Sequence, residues 1–218
     1  MKYRAVIFDL WQTLVPWPAD AAETYYTWMA DAYGTPYDRF FEEWNGGVHK
    51  RNTGPIEDYL RSVATALAVE PDFDRVLEWR LDWTRRSLVP RAEAVPTVEA
   101  LRARGHKVGL ITVCSQEVAD LWDETPFDGL FDSTVFSSSV GLAKPDPKIY
   151  ELASRELGVE PGECLFVGDG ANDELPGAER VGMTALQLRA PGEQLTPDGE
   201  AWQGASVERL SELLALPL

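Results

Sequence analysis

The sequence predicts an α/β fold: a three-layer α/β/α core on a parallel sheet, with a helical domain inserted after the first strand. Three observations predict it. From about residue 96 onward, short apolar runs alternate with amphipathic segments, as strands joined by crossover helices do. One further apolar run, Ala5-Val6-Ile7-Phe8, stands alone near the N-terminus. Between the two, residues from about 18 to about 88 carry helical spacing and Trp28, Trp44, Trp79 and Trp83. At roughly 150 residues per domain, 218 residues suit one domain with a large insertion. We therefore place the core domain at 1–16 and 90–218 and the helical domain at 17–89.

The elements follow in order. Ala5 to Phe8 is a short buried strand ending at Asp9. In the inserted stretch, Glu78-Trp79-Arg80-Leu81-Asp82-Trp83 has apolar positions that suit helix or strand. Its flanking Val76, Leu77 and charged residues favour helix. Gly46-Gly47 and Asn52-Thr53-Gly54-Pro55 mark turns there, and Tyr25, Tyr26 and Trp28 are expected on the inner face of the helical domain or in its core. Pro96-Thr97 opens a helix that stops at Gly105. Lys107 to Thr112 reads as a strand, Gln116 to Trp122 as a helix, and Ser133 to Phe136 as a short strand. Asp146-Pro147 caps and begins a helix running to about Leu157. Cys164 to Gly168 is a strand, a helix ends near Gly182, and Thr184 to Leu188 is a strand. Residues 190–204 read as a mobile surface loop. The last helix is expected over Val207 to Ala215.

Composition excludes several functions. With 36 acidic and 20 basic residues the formal charge is −16. Binding to nucleic acid through phosphates needs a basic face, and docking on anionic lipid needs basic clusters; neither is expected. Two cysteines, Cys114 and Cys164, are too few for a disulfide scaffold or a cysteine zinc site. His49 and His106 lie far apart, which argues against a histidine metal cluster or a Ser-His-Asp triad. No apolar run approaches a membrane span, and the N-terminal apolar stretch is too short for a signal peptide and is interrupted by Asp9. A cytoplasmic protein with reduced thiols, monomeric or homodimeric, is expected.

In a parallel sheet, ligands bind outside the carboxyl ends of the strands. Asp9, Thr112, Lys144 and Asp169 fall there or just beyond. Taken singly, each has an ordinary explanation: an aspartate capping a turn, a β-branched strand residue, a solvated loop lysine. The set, in this order and with these neighbours, is harder to explain as structure alone.

Four motifs carry a resemblance. They are Phe8-Asp9-Leu10-Trp11-Gln12-Thr13-Leu14; Leu110-Ile111-Thr112; Gly141-Leu142-Ala143-Lys144-Pro145-Asp146-Pro147 with Ile149-Tyr150; and Val167-Gly168-Asp169-Gly170-Ala171-Asn172-Asp173-Glu174, followed by Pro176-Gly177-Ala178. Together they resemble the haloacid dehalogenase superfamily, whose members are mostly phosphatases with a Rossmann-like core. The inserted helices match the position and length of that family's helical cap.

The resemblance implies a role for each position. Asp9 would be the nucleophile that takes up the phosphoryl group. Mg²⁺ would be held by Asp9, Asp169 and the backbone carbonyl of Trp11, supported by Asp173 or Glu174, between which the spacing leaves the choice open. Thr112 and Lys144 would contact the phosphoryl oxygens, and Thr13 would brace the nucleophile loop. Lys50 and Arg51 are candidates for the substrate's distal groups, and Cys114 would lie near the site in a packing role.

Trp11 is the departure, because family phosphatases keep there an aspartate that protonates the leaving group. Gln12 also replaces the usual glycine. The implied function is a Mg²⁺-dependent phosphatase acting on a small phosphorylated metabolite without that acid. The alternatives are a metal-free 2-haloacid dehalogenase and a catalytically impaired relative that binds a ligand or a protein.

Overall fold

The structure, a computed structural model, describes residues 2–218. β1 (Ala5–Phe8) is buried along its whole length. Six helices follow before the chain returns to the sheet, the first five being α1 (Ala19–Ala32), α2 (Tyr37–Gly46), α3 (Val48–Asn52), α4 (Ile56–Leu67) and α5 (Phe73–Ser87). α4 shows why this region can form a core of its own. It buries Ile56, Tyr59, Leu60, Val63, Ala64 and Leu67, one stripe at helical spacing. Around that stripe pack Tyr25, Met29, Phe40, Trp44 and Val76, a cluster separate from those under the sheet. The ambiguous Trp79–Trp83 segment lies inside α5, whose first turn is capped by the Asp72 carboxylate accepting from the Arg75 N–H at 3.2 Å.

α6 (Ala94–Ala103) then leads into β2 (Lys107–Thr112), α7 (Gln116–Asp120), a 3₁₀ turn at Trp122–Glu124, β3 (Ser133–Phe136) and α8 (Ser137–Val140). The rest of the core is α9 (Pro147–Leu157), β4 (Cys164–Gly168), α10 (Glu174–Arg180), β5 (Thr184–Leu188), α11 (Pro197–Ala201) and β6 (Ser206–Val207). The six strands form one parallel sheet in the order β3-β2-β1-β4-β5-β6. This is the Rossmann-like core with a helical insert that the sequence predicts. Strand residues alternate between two cores. Val6, Phe8, Leu110 and Val167 pack on one face, and Ala5, Ile7, Ile111 and Phe166 on the other. Both faces are thus apolar, which is why the strands read as continuous apolar runs.

Three expectations need correction. The segment Val207 to Ala215 is not one helix. Val207 belongs to β6, where Ser206 and Val207 pair with Gln187 and Leu188 of β5, and only Leu210–Ala215 is helical, as a 3₁₀ turn. Edge pairing takes the residues that apolar spacing assigned to a helix. Residues 190–204 are not all loop, because α11 lies within them. Pro197 opens it, and the Thr196 hydroxyl accepts from the Gly199 N–H at 3.3 Å. The helix expected from Pro96 begins two residues earlier, at Ala94, which leaves Pro96 in the first turn, where its missing N–H has no partner to lose.

Candidate active site

The register of the sheet gathers the site. Phe8 pairs with Leu110 on one side and with Val167 on the other. Asp9, Thr112 and Asp169 therefore emerge at one edge, the carboxyl ends of β1, β2 and β4. The Asp9 N–H still reaches across to the Val167 carbonyl at 2.8 Å, which fixes where its side chain departs. Lys144 arrives from the loop before α9. Its ammonium donates to Asp9 Oδ1 at 2.5 Å and also to Glu174 Oε2.

Glu174, not Asp173, joins this group. Asp9, Asp169 and Glu174 are all buried, with carboxylate oxygens within 4.8 Å of one another. Asp173 is exposed. The turn before α10 puts Asn172 and Asp173 at positive φ, 55° and 54°. It leaves Asp173 in solvent, and Glu174, the first residue of α10, turns inward. There the Gly170 N–H donates to Glu174 Oε1 at 2.9 Å, and the Tyr150 hydroxyl donates to the Glu174 carbonyl at 2.8 Å. Gly168 leaves the room: a Cβ at that position would lie 2.1 Å from Glu174 Oε1.

Electrostatics set the character of the site. Three carboxylates against one ammonium leave two negative charges in buried surroundings. Burial raises the Asp9 carboxyl above its ordinary range, Lys144 opposes the rise and Glu174 adds to it. Asp169 is raised by burial and then by Asp9. Glu174 is pushed up to about 7, by burial first, with Lys144 opposing and Asp169 adding. Burial would lower Lys144, but Asp9 and Glu174 hold it above its ordinary value. One lysine thus does not balance the cluster, whereas a divalent cation would. Hard oxygen donors are what Mg²⁺ takes, so these residues fit that ion.

Two hydroxyls at the site, Thr112 Oγ1 and Thr13 Oγ1, are buried without a hydrogen-bond partner among the described residues. Such a group costs about 1–3 kcal/mol, and Thr112 sits where a ligand oxygen would satisfy it. For Thr13 the expected brace through its hydroxyl is not formed. Arg91 holds the loop instead, donating to the carbonyls of Thr13 and Gln12, each at 2.8 Å, and pairing with Glu193. Gln12 has φ 59°, a conformation a glycine would adopt without strain. Its side-chain amide donates to Asp169 Oδ2 at 3.0 Å. The glycine-like loop conformation is thus kept, and the added side chain reaches the acidic cluster.

Trp11 is half-buried. It packs edge-on against Trp17 with ring centroids 5.8 Å apart, and borders a cavity between the helical domain and the core. Arg51 lines the same cavity, whereas Lys50 is exposed and does not. Tyr25 stacks on Trp83 within the helical domain. Trp28, expected inside, is 52 % exposed. Cys114 is buried beside the cavity, its thiol pushed up to about 12 by burial and then by Glu117.

Sequence reasoning missed Arg80, Glu117 and Arg91. Arg80 of α5, largely but not wholly buried, pairs with Glu117 of α7 and donates to Ser115 Oγ at 2.9 Å and to the Tyr25 hydroxyl at 3.2 Å. That contact ties the helical insert to the core. No motif announces it, because its partners lie 37 residues apart.

Comparison with known proteins agrees with this architecture. Residues 3–182 match the family described as haloacid dehalogenase-like hydrolase. The chain belongs to that family. Among curated relatives of this hydrolase, Phosphatase MT3486 of Mycobacterium tuberculosis is 31 % identical over 208 residues, covering 91 % of this chain and 92 % of that protein. A glyceraldehyde 3-phosphate phosphatase of Methanopyrus kandleri is 36 % identical over 105 residues, 47 % of this chain; the match spans only 44 % of that protein. A 2-haloacid dehalogenase structure from Pseudomonas syringae superposes with a TM-score of 0.73 at 24 % identity, covering 98 % of this chain and 97 % of that one, which is agreement in fold. Among the described residues no helix is long and apolar enough to cross a membrane.

Proposed function

We propose that this hydrolase is a Mg²⁺-dependent phosphatase acting on a small phosphorylated metabolite. The observation that carries the reading is the charge of the cluster. Asp9, Asp169 and Glu174 outnumber Lys144, and such a site repels a phosphate dianion unless a divalent cation stands between them. Bound Mg²⁺ would offset that charge and polarise the phosphoryl oxygens. Two relatives of this chain are phosphatases by name, which supports the same class.

The chain's own residues divide the work. Asp9 forms a bond from a carboxylate oxygen to phosphorus while the bond from phosphorus to the leaving oxygen breaks, giving an aspartyl-phosphate that water then hydrolyses. Lys144 keeps Asp9 ionised and donates to the phosphoryl oxygens, and the Thr112 hydroxyl donates to another. Glu174 holds Lys144 in place. Trp11 cannot protonate a leaving alkoxide, and a positioned general acid is worth roughly 10²–10⁴ in rate. Good substrates are therefore those whose leaving group departs as a stable anion, such as aryl and acyl phosphates.

The test is phosphate release from aryl and acyl phosphates with Mg²⁺ and in EDTA, beside chloride release from 2-chloropropionate. Release only with Mg²⁺ and its loss in Asp9→Asn are expected. Chloride release without metal would instead establish the dehalogenase reading, which the replacement of the acid by Trp11 favours. Neither reaction above the Asp9→Asn background would favour a binding protein.

A further inference from the structure

The cavity beside Trp11 has a volume of about 130 Å³; Tyr26, Trp44 and Trp83 supply further aromatic wall, and Arg51 and Arg80 border it. Its wall also includes Val113, next to Thr112, and Trp11, two residues after Asp9, so it adjoins the strand ends that carry the reacting centre.

The two arginines differ. Arg80 is engaged by Glu117, Ser115 and the Tyr25 hydroxyl. Arg51 donates to one protein acceptor, the Trp44 carbonyl, at 2.9 Å. Its guanidinium lies over the Trp44 ring, 4.6 Å from the centroid, and 5.7 Å from that of Tyr59. Among the described residues no carboxylate pairs with it. A guanidinium carries five N–H groups, so donors remain beyond that bond, on a residue that lines the cavity. Burial and then the neighbouring Arg80 charge push the Arg51 guanidinium below its ordinary value, the direction expected of a cation without a counter-ion. Two arginines and one glutamate leave one positive charge here, in a protein whose net charge is −16. With so many carboxylates available, a half-buried guanidinium without one needs a reason, because withdrawing a charge from water without a partner is costly.

We propose that this cavity is a substrate subsite for a carboxylate, received by Arg51, with the aromatic walls accepting a short apolar spacer between that carboxylate and the phosphate. The substrate class is then a phosphorylated small carboxylic acid. One uncompensated guanidinium matches a monoanion. A second phosphate dianion would leave excess negative charge beside the acidic cluster. Arginine's planar fork also suits a carboxylate in particular. The position of the phosphate end rests on the phosphatase reading, but the charge argument for the carboxylate end does not.

The experiment compares 4-carboxyphenyl phosphate with 4-carbamoylphenyl phosphate, which differ in charge and hardly in shape, in wild type and Arg51→Gln. Phosphate release with Mg²⁺ gives kcat/KM, and titration calorimetry gives Kd for both compounds. We expect wild type to favour the carboxylate about tenfold or more, and this ratio to fall towards one in Arg51→Gln. A wild-type ratio near one overturns the subsite while the phosphatase reading stands, and this measurement needs no variant to fold. An undiminished ratio in Arg51→Gln overturns the assignment to Arg51. If neither compound releases phosphate, the phosphatase reading falls and calorimetry decides the subsite. A binding preference that Arg51→Gln removes upholds it, and equal binding or none overturns it.

Discussion

Removal of the Glu117 carboxylate should unfasten the helical domain from the core. Glu117 is fully buried, and its Oε1 accepts from Arg80 Nε, from Ser115 Oγ at 2.6 Å and from Thr84 Oγ1 at 3.4 Å. Arg80 is also inside the protein. Burial would lower its guanidinium, but Glu117 leads the contributions that hold it above its ordinary value. Glu117→Ala leaves that cation buried with no carboxylate. Breaking a buried pair from one side costs about 3–5 kcal/mol. In a chain of this length each kcal/mol is worth roughly 2–4 °C in Tm, so a fall on the order of 10 °C is expected. Arg80→Met strands the carboxylate instead and should cost a similar amount. The double variant Arg80→Met/Glu117→Ala leaves no stranded charge, so it should be more stable than the sum of the single losses requires, by about 2 kcal/mol or more. Urea unfolding of the four proteins measures this. A Glu117→Ala loss under about 1 kcal/mol, or single losses that simply add, would refute the reasoning that this pair fastens the two parts.

Other perturbations separate the roles of individual residues. Trp11→Asp supplies a carboxyl where none stands, and turnover of alkyl phosphates should rise by one or more orders of magnitude within the roughly 10²–10⁴ available to a general acid; a fall would show that Trp11 itself contacts substrate productively. Gly168→Ala drives a Cβ to 2.1 Å from Glu174 Oε1, so Glu174 must leave the cluster; the Mg²⁺ concentration for half-maximal phosphate release should rise about tenfold or more, and an unchanged requirement would remove Glu174 from the metal's support. Burial pushes both Cys114 and Cys164 up to about 12. A raised thiol pKa means that stability is intact below the unfolded value near 9 and falls as pH climbs from there towards 12, where only the unfolded chain ionises. Alkaline unfolding curves should show that loss, with both thiols inert to alkylation at pH 8 until denaturant is added; rapid labelling of the native protein would count against it.

Local pattern was enough for the strands, because a strand buried on both faces must be apolar throughout and Asp9 and Asp169 break those runs where the chain leaves the sheet. That the insert is helical was legible too, from its helical spacing, but the bounds of its five helices were not. Edge strand β6 was not, as two residues carry no period and only their pairing with β5 defines them.

Within the site, the sequence by itself determined the residue types and their order: Asp9, Thr112, Lys144 and Asp169 at strand ends or just beyond, with an acid at 173 or 174 and Trp11 in place of the usual acid. Tertiary structure decided which acid turns inward, because two residues at positive φ carry Asp173 outward and Gly168 leaves space for Glu174. It also decided that Arg51 and not Lys50 meets the cavity, that Arg80 finds Glu117, and that Arg91 braces the nucleophile loop. Periodicity and strand ends are properties of a few consecutive residues. Buried ion pairs and cavity walls join residues tens of positions apart, and only the folded chain brings their charges within reach of one another.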